Sequence, residues 1–359
     1  MTEVHVCCGV GGTGKTTTSA AFAVAQAHAG RRVAVITIDP ARRLADALGI
    51  GALDNEPRAI DLPDATGTLA ALMLDRKGTW DAIVRDRASP ETAERLLANP
   101  YYQAVSTRLS GSHEYMAVER LYDLVHDGDY DVVVVDTPPT QHVVDFFQAP
   151  ERVRSILDRS LLAGLFDPNR FVGPATRAAF SVIERLAGQG VMRDIRTFFE
   201  LFSEISQTFR ERSAAVAELL RSNRTRYWLV ANAEAPERND LLGFLGELQE
   251  REMRFAGFLV NRVAAAPLGP FPTREELEKL SDAPEGWAET VPRLARLPEE
   301  AVARAQDQDA RIDRLIAKSQ GAPAWFLPDL PDGVRSLDGL RRLAERLPPA
   351  APARGDRRR

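Results

Sequence analysis

Cysteine is almost absent from this chain, and its two copies, Cys7 and Cys8, are adjacent. Two neighbouring cysteines cannot build a disulfide framework, a cysteine-rich zinc site or an iron–sulfur cluster. The five histidines show no spacing typical of metal ligands. We therefore expect the chemistry of the protein to depend on other side chains.

Positive charge and long apolar runs are also scarce. Lys and Arg number 46 against 51 Asp and Glu, so the formal net charge is −5 and the basic excess of a nucleic-acid-binding protein is missing. Apolar runs such as Val132 to Val135 are far shorter than the ~20 residues that span a bilayer. The first residues lack the basic and apolar regions of a signal peptide. We expect a soluble, cytoplasmic protein with no nucleic-acid partner and no integral membrane segment.

The length of 359 residues allows two ordinary domains or one enlarged α/β domain. Near the N-terminus, the sequence predicts a strand over Val4–Cys8, a helix over Thr17–His28 and a strand over Arg32–Ile38. This spacing is typical of a right-handed parallel βαβ unit. A third predicted strand over Asp131–Asp136 has the unbroken apolar centre of a central parallel strand.

The loop between the first strand and the first helix carries the strongest signal. It matches the phosphate-binding pattern G-x-x-x-x-G-K-[ST] between a strand and a helix, as the pattern requires. Glycines let backbone N–H groups surround phosphate oxygens, the lysine reaches the β and γ phosphates, and the following hydroxyl suits Mg²⁺. The predicted nucleotide-binding residues here are Gly9, Gly11, Gly12, Thr13, Gly14, Lys15, Thr16 and Thr17.

Two carboxylates follow predicted strands at the edge where such sheets bind ligands. Asp39 comes after the second strand, where it faces the phosphate loop or caps a predicted helix over Ala41–Leu48, and both roles are compatible. Asp136 ends the third strand in the manner of a Walker B residue, and Thr16 and Asp136 are the predicted Mg²⁺ site. The following residues 137–142 would form a loop that senses the γ-phosphate.

Together these motifs resemble the ArsA-type ATPases, which include the arsenical-pump ATPase and the ATPase that guides tail-anchored membrane proteins. Asp39–Asp46 resembles the family's switch I pattern D-P-A-H-x-L-x-D, and Asp136–His142 resembles its switch II pattern D-T-A-P-T-G-H. Asn261 resembles the adenine-binding asparagine, and Pro328 belongs to a segment that resembles the base-covering loop. Ser110–Tyr115 matches the family's P-G-x-x-E pattern more weakly.

The resemblance implies a fold, a reaction and a domain plan. We expect a doubly wound, mostly parallel P-loop NTPase in one domain over residues 1–347, with a helical insert over about 150–223 and a disordered tail over 348–359. The cofactors would be ATP and Mg²⁺. Asp39 and Lys15 would be catalytic, with Asp39 orienting the attacking water and Lys15 balancing γ-phosphate charge.

The departures from the family bear on its partners. Family members carry a lysine at the position of Val10, which reaches the other subunit's nucleotide across a dimer. Its loss predicts a heterodimer with a lysine-bearing ATPase paralogue, or a homodimer in which Arg42 or Arg43 replaces the lysine. The absence of arsenite-binding cysteines argues against a metalloid-pump subunit, and the zinc-clamping C-x-x-C pair is missing too.

Two helical segments leave the biological role open. Nine of the 15 phenylalanines lie between Phe146 and Phe209, and a predicted helix over Val191–Leu220 carries an apolar stripe. This stripe is either core or a groove for a hydrophobic protein client. A final predicted helix over Ser336–Leu347 is amphipathic, and it either packs on the domain or lies on a membrane as in a ParA- or MinD-like positioning switch.

Overall fold

The computed structural model of the chain describes residues 1–39, 41–108, 112–126, 128–138, 189–236, 241–265, 271–279, 286–330, 333–334 and 336–349. Strands and helices alternate along these segments. The strands are β1 (Glu3–Cys8), β2 (Arg32–Thr37), β3 (Arg58–Ile60), β4 (Thr68–Met73), β5 (Val132–Asp136), β6 (Thr225–Asn232), β7 (Phe255–Val263) and β8 (Ala324–Pro328). The helices are α1 (Lys15–His28), α2 (Arg43–Leu48), α3 (Arg76–Arg87), α4 (Pro90–Ala98), α5 (Pro100–Arg108), α6 (Ser112–His126), α7 (Gln189–Arg221), α8 (Leu241–Glu250), α9 (Arg274–Glu278), α10 (Trp287–Leu294), α11 (Leu297–Lys318) and α12 (Leu337–Ala344).

The eight strands form one sheet in the order β3-β4-β2-β5-β1-β6-β7-β8. Every neighbouring pair is parallel except β3 and β4, which are antiparallel. Strand β5 is buried along its whole length, as its unbroken apolar sequence predicts. The predicted doubly wound, mostly parallel α/β fold is therefore confirmed.

Helix α1 lies on one face of the sheet together with α12. The apolar residues Leu340, Leu343 and Leu347 of the C-terminal helical segment are buried in the core that contains α1. Of the two alternatives for this helix, the structure supports packing on the domain, because its apolar side is already covered by the protein. None of the helices in the described segments has the length and apolar character needed to cross a bilayer.

The long helix α7 extends over Gln189–Arg221, close to the predicted Val191–Leu220. Its stripe residues Phe198, Phe202, Ile205 and Phe209 are buried and belong to the core on the other face of the sheet. The Phe202 and Phe209 rings pack near Trp80 of α3, at centroid distances of 6.4 and 5.7 Å. Most of the stripe is thus core in this chain, whereas Ile195 and Phe199 near its start are half-buried. The part of the predicted insert from 150 to 188 lies outside the described residues.

A buried carboxylate also ties α7 to its neighbours. Glu119 of α6 has no exposed side-chain surface, and its Oε2 accepts from Arg212 Nε at 2.7 Å and from Arg87 Nη1 at 3.4 Å. The Arg212 guanidinium also lies 4.0 Å from the centre of the Tyr122 ring. Moving α7 away would leave the buried Glu119 carboxylate with fewer partners, which would be strongly unfavourable. The ion pairs of Glu119 therefore fix the position of α7 against α3 and α6.

We predict that Ile205→Ala lowers the free energy of unfolding by about 2–5 kcal/mol, because it removes a fully buried side chain from a packed core. Urea denaturation measures this change. Arg196→Ala, on an exposed position of the same helix, is the control and should change stability by less than about 0.5 kcal/mol. Equal effects of the two substitutions would show that the stripe is not part of the core.

Candidate functional site

The loop after β1 is held close to the ends of β6 and β7. A side chain at Gly9 would bring its Cβ to 2.5 Å from the Val230 carbonyl oxygen of β6. Gly14 has a φ of +87°, and a Cβ there would collide with the Asn261 side-chain amide of β7. Both positions therefore require glycine for steric reasons, and Gly14 also requires it for its left-handed backbone.

Helix α1 begins directly behind this loop, at Lys15. Gly14 is its N-cap, and no side chain among the described residues caps its first turn. The first backbone N–H groups of a helix have no partner within the helix, so together with the helix dipole they form a binding site for an anion. The structure therefore brings Gly14, Lys15, Thr16 and Thr17 to the N-terminal end of a helix that points at the loop.

The Lys15 side chain is buried, and its Nζ donates a hydrogen bond to the Val10 carbonyl oxygen at 3.1 Å. The Thr13 hydroxyl donates to the same oxygen at 2.9 Å. Burial lowers the pKa of Lys15, while the nearby charges of Asp136 and Asp39 oppose this effect. The Lys15 ammonium group thus lies within the loop. Phosphate oxygens bound there would compete with the Val10 carbonyl oxygen for its hydrogen bonds.

Asp136 is completely buried at the carboxyl end of β5, between β1 and β2. Its carboxylate accepts hydrogen bonds from Thr37 Oγ1 at 2.9 Å and from Ser19 Oγ at 3.3 Å. Burial raises its pKa to about 6, although hydrogen bonds from Thr16, Thr37 and Ser19 and the charge of Lys15 act in the other direction. The structure thus brings Asp136 and Thr16 together, as the sequence predicts.

Asp39 lies just beyond β2, on the same edge of the sheet. Its Oδ1 accepts from the Ala41 backbone N–H at 3.0 Å, and its Oδ2 lies 3.2 Å from Arg43 Nη1. The helix predicted from Ala41 begins only at Arg43, because the Asp39 side chain holds Ala41 in a local turn instead of capping a helix there. Asp39 and Arg43 are close enough to Lys15 to affect its pKa in opposite directions.

Asn261 is the residue of β7 that meets the phosphate loop. Its Nδ2 donates to the Thr13 carbonyl oxygen at 3.0 Å, and the residue is 6% exposed. It pairs in register with Asn232 at the end of β6. Pro328 ends β8 at the same edge of the sheet, and the backbone N–H of the next residue, Asp329, donates to the Val263 carbonyl oxygen at 2.9 Å.

Sequence reasoning missed a buried glutamine behind these strand ends. Gln308 of α11 is 1% exposed, and its Oε1 accepts from the Ala264 N–H at 2.8 Å. Its Nε2 donates to Glu234 Oε1 at 3.0 Å and to the Arg262 carbonyl oxygen at 3.4 Å. Gln308 thereby joins the loops after β6 and β7 to α11. The signal for it was a polar residue on the otherwise apolar buried side of an amphipathic helix.

The loop after β8 is attached to the same helix. Arg304 of α11 contacts Glu234 with its Nε at 2.6 Å and Asp329 with its Nη2 at 3.1 Å. Because Gln308 and Arg304 lie one turn apart, one face of α11 holds all three loops at this edge of the sheet.

The two cysteines do not contribute to an open site. Both are fully buried within β1, and burial raises the pKa of Cys7 to about 12. A protonated, enclosed thiol is a poor metal ligand. The described residues also contain no cluster of three or more His, Cys, Asp or Glu side chains suited to a metal ion.

Parts of the predicted site lie outside the described residues. These are most of the switch II segment, at Pro139–His142, the Ser110–Gly111 step before α6, and Arg335 in the segment that resembles the base-covering loop.

A family model described as an anion-transporting ATPase, the ArsA ATPase family, matches residues 2–272, about three quarters of the chain. The chain belongs to this family. The resemblance stated from its motifs is therefore confirmed. The match to the ArsA ATPase family includes the phosphate loop, Asp39, Asp136 and Asn261 but ends before Pro328.

Curated relatives of this ArsA-family chain include three fungal proteins. It is 28% identical over 209 residues to ATPase get3 of Aspergillus terreus, which is 56% of this chain and 59% of the relative. It is 31% identical over 154 residues to ATPase GET3 of Podospora anserina and 32% identical over 155 residues to ATPase GET3 of Malassezia globosa, in each case 43% of both chains. The chain thus spans about half the length of the curated relatives it matches.

We predict that Asp136→Asn changes how stability depends on pH. Because the folded pKa of about 6 is above the ordinary value of 3.8, the stability that this group contributes is complete below about pH 4 and is lost as pH rises to about 6. The difference between the two pKa values corresponds to about 3 kcal/mol in the free energy of unfolding. Without nucleotide, Asp136→Asn should therefore be more stable than wild type at pH 7.5, and the two should converge toward pH 4.

Urea denaturation at several pH values between 4 and 7.5 is the measurement for this prediction. Asp86→Asn removes a carboxylate that is 81% exposed on α3 and serves as the control. A stability difference between wild type and Asp136→Asn that stays constant with pH would contradict the raised pKa.

Proposed function

We propose that this chain binds and hydrolyses ATP and acts as a nucleotide-driven switch in the cytoplasm. The observation that carries the proposal is the convergence of Lys15, Thr16, Asp39 and Asp136 at one edge of the sheet, around a loop whose glycines permit close approach of phosphate. We also propose that residues 1–347 form one P-loop domain with a helical insert over about 150–223.

The phosphate groups are bound by the loop Gly9–Thr16 and the first turn of α1. Backbone N–H groups at this helix end have no side-chain cap among the described residues, so the phosphate oxygens become their acceptors. Lys15 exchanges the Val10 carbonyl for the β and γ phosphates, where its charge stabilises the negative charge of the transition state. The ammonium needs little movement because its carbonyl partner already lies in the loop.

Thr16 and Asp136 fit a bound Mg²⁺ by their chemistry. Oxygen ligands suit this ion, and Asp136 is ionised at neutral pH because its pKa is about 6. Thr16 and Asp136 would hold the ion, which would supply positive charge to neutralise the negative charge that develops on the phosphate oxygens. The Asp136 carboxylate is held in place by Thr37 and Ser19, so it is positioned before any ligand enters.

Asp39 is the proposed residue that orients the attacking water. It is 24% exposed at the side chain, and its Oδ1 is already used by the Ala41 N–H. Its Oδ2 faces Arg43, so release of that exposed ion pair would free one carboxylate oxygen to accept a hydrogen bond from water. Exposed pairs of this kind are weak, about 0–1 kcal/mol, so the exchange costs little.

The base end of the nucleotide is assigned to Asn261 and Pro328. Asn261 already donates one amide hydrogen to the phosphate loop, which leaves its Oδ1 and second hydrogen for adenine. Gln308 and Arg304 of α11 are positioning residues for this region, because they hold the loops after β6, β7 and β8.

Lys15→Ala tests the proposed reaction. Loss of the buried ammonium should lower ATP turnover at least about 100-fold, since a charge-stabilising group in the phosphate site is removed. Lys279→Ala is a matched control, because Lys279 is 78% exposed beside α9, and this variant should keep wild-type turnover. The rate of phosphate release measures both variants, and full activity of Lys15→Ala would overturn the proposal.

The proposed assembly is a dimer, either with a second copy or with a lysine-bearing paralogue. Val10 offers only a backbone carbonyl to its own loop, and an apolar side chain cannot donate to a partner's phosphate. Of the two arginines that could replace the lysine, Arg43 is engaged with Asp39, while Arg42 is exposed. The exposed Arg42 therefore leaves the homodimer open beside the heterodimer.

Mixing this chain with a lysine-bearing paralogue should raise ATP turnover above the sum of the separate rates, because the paralogue supplies the missing charge in trans. The control is the same paralogue with that lysine changed to Ala, which should give no increase. Strictly additive rates in the first mixture would contradict the heterodimer.

Handling of hydrophobic protein clients is the finer part of the proposal. Because most of the α7 stripe is buried, this role now depends on the five phenylalanines between Phe146 and Phe180, which lie outside the described residues. The metalloid-pump alternative loses support from the buried cysteines, and the positioning-switch alternative loses support from the buried side of α12.

A further inference from the structure

A second cavity lies at the opposite edge of the sheet from the phosphate loop. Its volume is about 370 Å³, within the usual ~300–1,000 Å³ of small-molecule sites. The starts of β1, β6, β7 and β8 line it together with α1 and the residues after α12. Strand β1 runs from His5 in the wall of this cavity to the loop at Gly9, so the two sites are at opposite ends of one strand.

The inner wall of the cavity is aromatic. Trp228 and Trp325 have ring centres 5.2 Å apart, and Phe22 lies 5.2 Å from Trp228 on the other side. Both tryptophans are less than 10% exposed and are fixed in the core. The two indole planes lie at 73° to each other, so this wall offers a rigid, apolar aromatic corner to a ligand.

His5 adds one polar group to this wall. It is 2% exposed, and its Nδ1 accepts from Trp228 Nε1 at 2.9 Å, which places the imidazole proton on Nε2. Nε2 has no hydrogen-bond partner among the described residues and lies 3.6 Å from the Glu3 carboxylate, too far for a hydrogen bond. A buried donor without a partner is rare, and here it borders a cavity.

Three arginines line the cavity, and among the described residues Glu3 is the carboxylate that pairs with two of them. Glu3 pairs with Arg31 at 2.8 Å and with Arg226 at 3.4 Å. Arg254 donates to the Asn223 carbonyl oxygen at 3.3 Å and has no carboxylate partner among the described residues. Burial lowers the pKa of His5, which keeps it neutral. The rim therefore carries an excess of positive charge that an anion would neutralise.

We propose that this cavity binds a small aromatic carboxylate, with its ring against Trp228 and Trp325 and its carboxylate on Arg226 and Arg254. The aromatic wall selects a flat apolar body, and the guanidinium groups select the acid. A cavity of this size has room for a ligand of one or two rings.

Benzoate is the probe, titrated into the full-length protein by calorimetry, with quenching of tryptophan fluorescence as a second readout. We expect saturable binding at one site. Benzyl alcohol keeps the ring without the charge, and acetate keeps the charge without the ring; each should bind at least about tenfold more weakly. Arg254→Met should weaken benzoate binding at least about tenfold for the same reason.

Arg95→Met is the matched control, because Arg95 is a 57% exposed arginine on α4, away from the cavity, and its loss should leave benzoate binding unchanged. The urea midpoints of both variants should equal that of wild type, because both side chains are exposed. The proposal is overturned if benzoate fails to bind, if acetate binds equally well, or if Arg254→Met binds benzoate as wild type does. Competition between benzoate and a non-hydrolysable ATP analogue would place the probe at the phosphate loop and would equally overturn it.

Discussion

The close approach of the phosphate loop to the carboxyl ends of its neighbouring strands is the constraint on which this structure depends. Gly9 lies against the Val230 carbonyl oxygen, and Gly14 lies against the Asn261 amide. Neither position has room for a side chain, so the loop can wrap tightly and deliver Lys15 and Thr16 to one point. The parallel order of β1, β5, β6 and β7 brings the required strand ends together at this edge.

The charges beneath this tight loop have partners that help them to tolerate burial. Asp136 is fully enclosed, and hydrogen bonds from hydroxyl groups of α1 and β2 and the charge of Lys15 offset part of the cost of ionising it. Lys15 in turn has a carbonyl oxygen as its partner inside the loop. Without ligand, the buried charges of Lys15 and Asp136 are therefore only partly compensated. This state favours the binding of a charged nucleotide and its ion.

The two faces of the sheet serve different purposes. Helices α1 and α12 cover one face, whereas α3 to α7 cover the other with an aromatic core around Trp80 and a buried group at Glu119. Phenylalanine content alone does not distinguish a core from a client surface, since both need apolar side chains at helical spacing. Here the neighbouring helices complete the packing, and most of the α7 stripe is enclosed.

What the sequence determined by itself was the local chemistry: the strand–loop–helix order, the glycines and lysine of the loop, and the acids that end β2 and β5. These signals are short and contiguous, so each residue's role follows from its neighbours in the chain. Only the tertiary structure decided that most of the stripe on α7 and the apolar side of α12 are covered, that Asp39 holds Ala41 in a turn, and that Gln308 and Arg304 together join three loops. Those outcomes depend on contacts between segments that are far apart in the chain. Periodicity and spacing do not show which distant segment covers an apolar face. Nor do they show which distant group forms a hydrogen bond with a buried polar side chain.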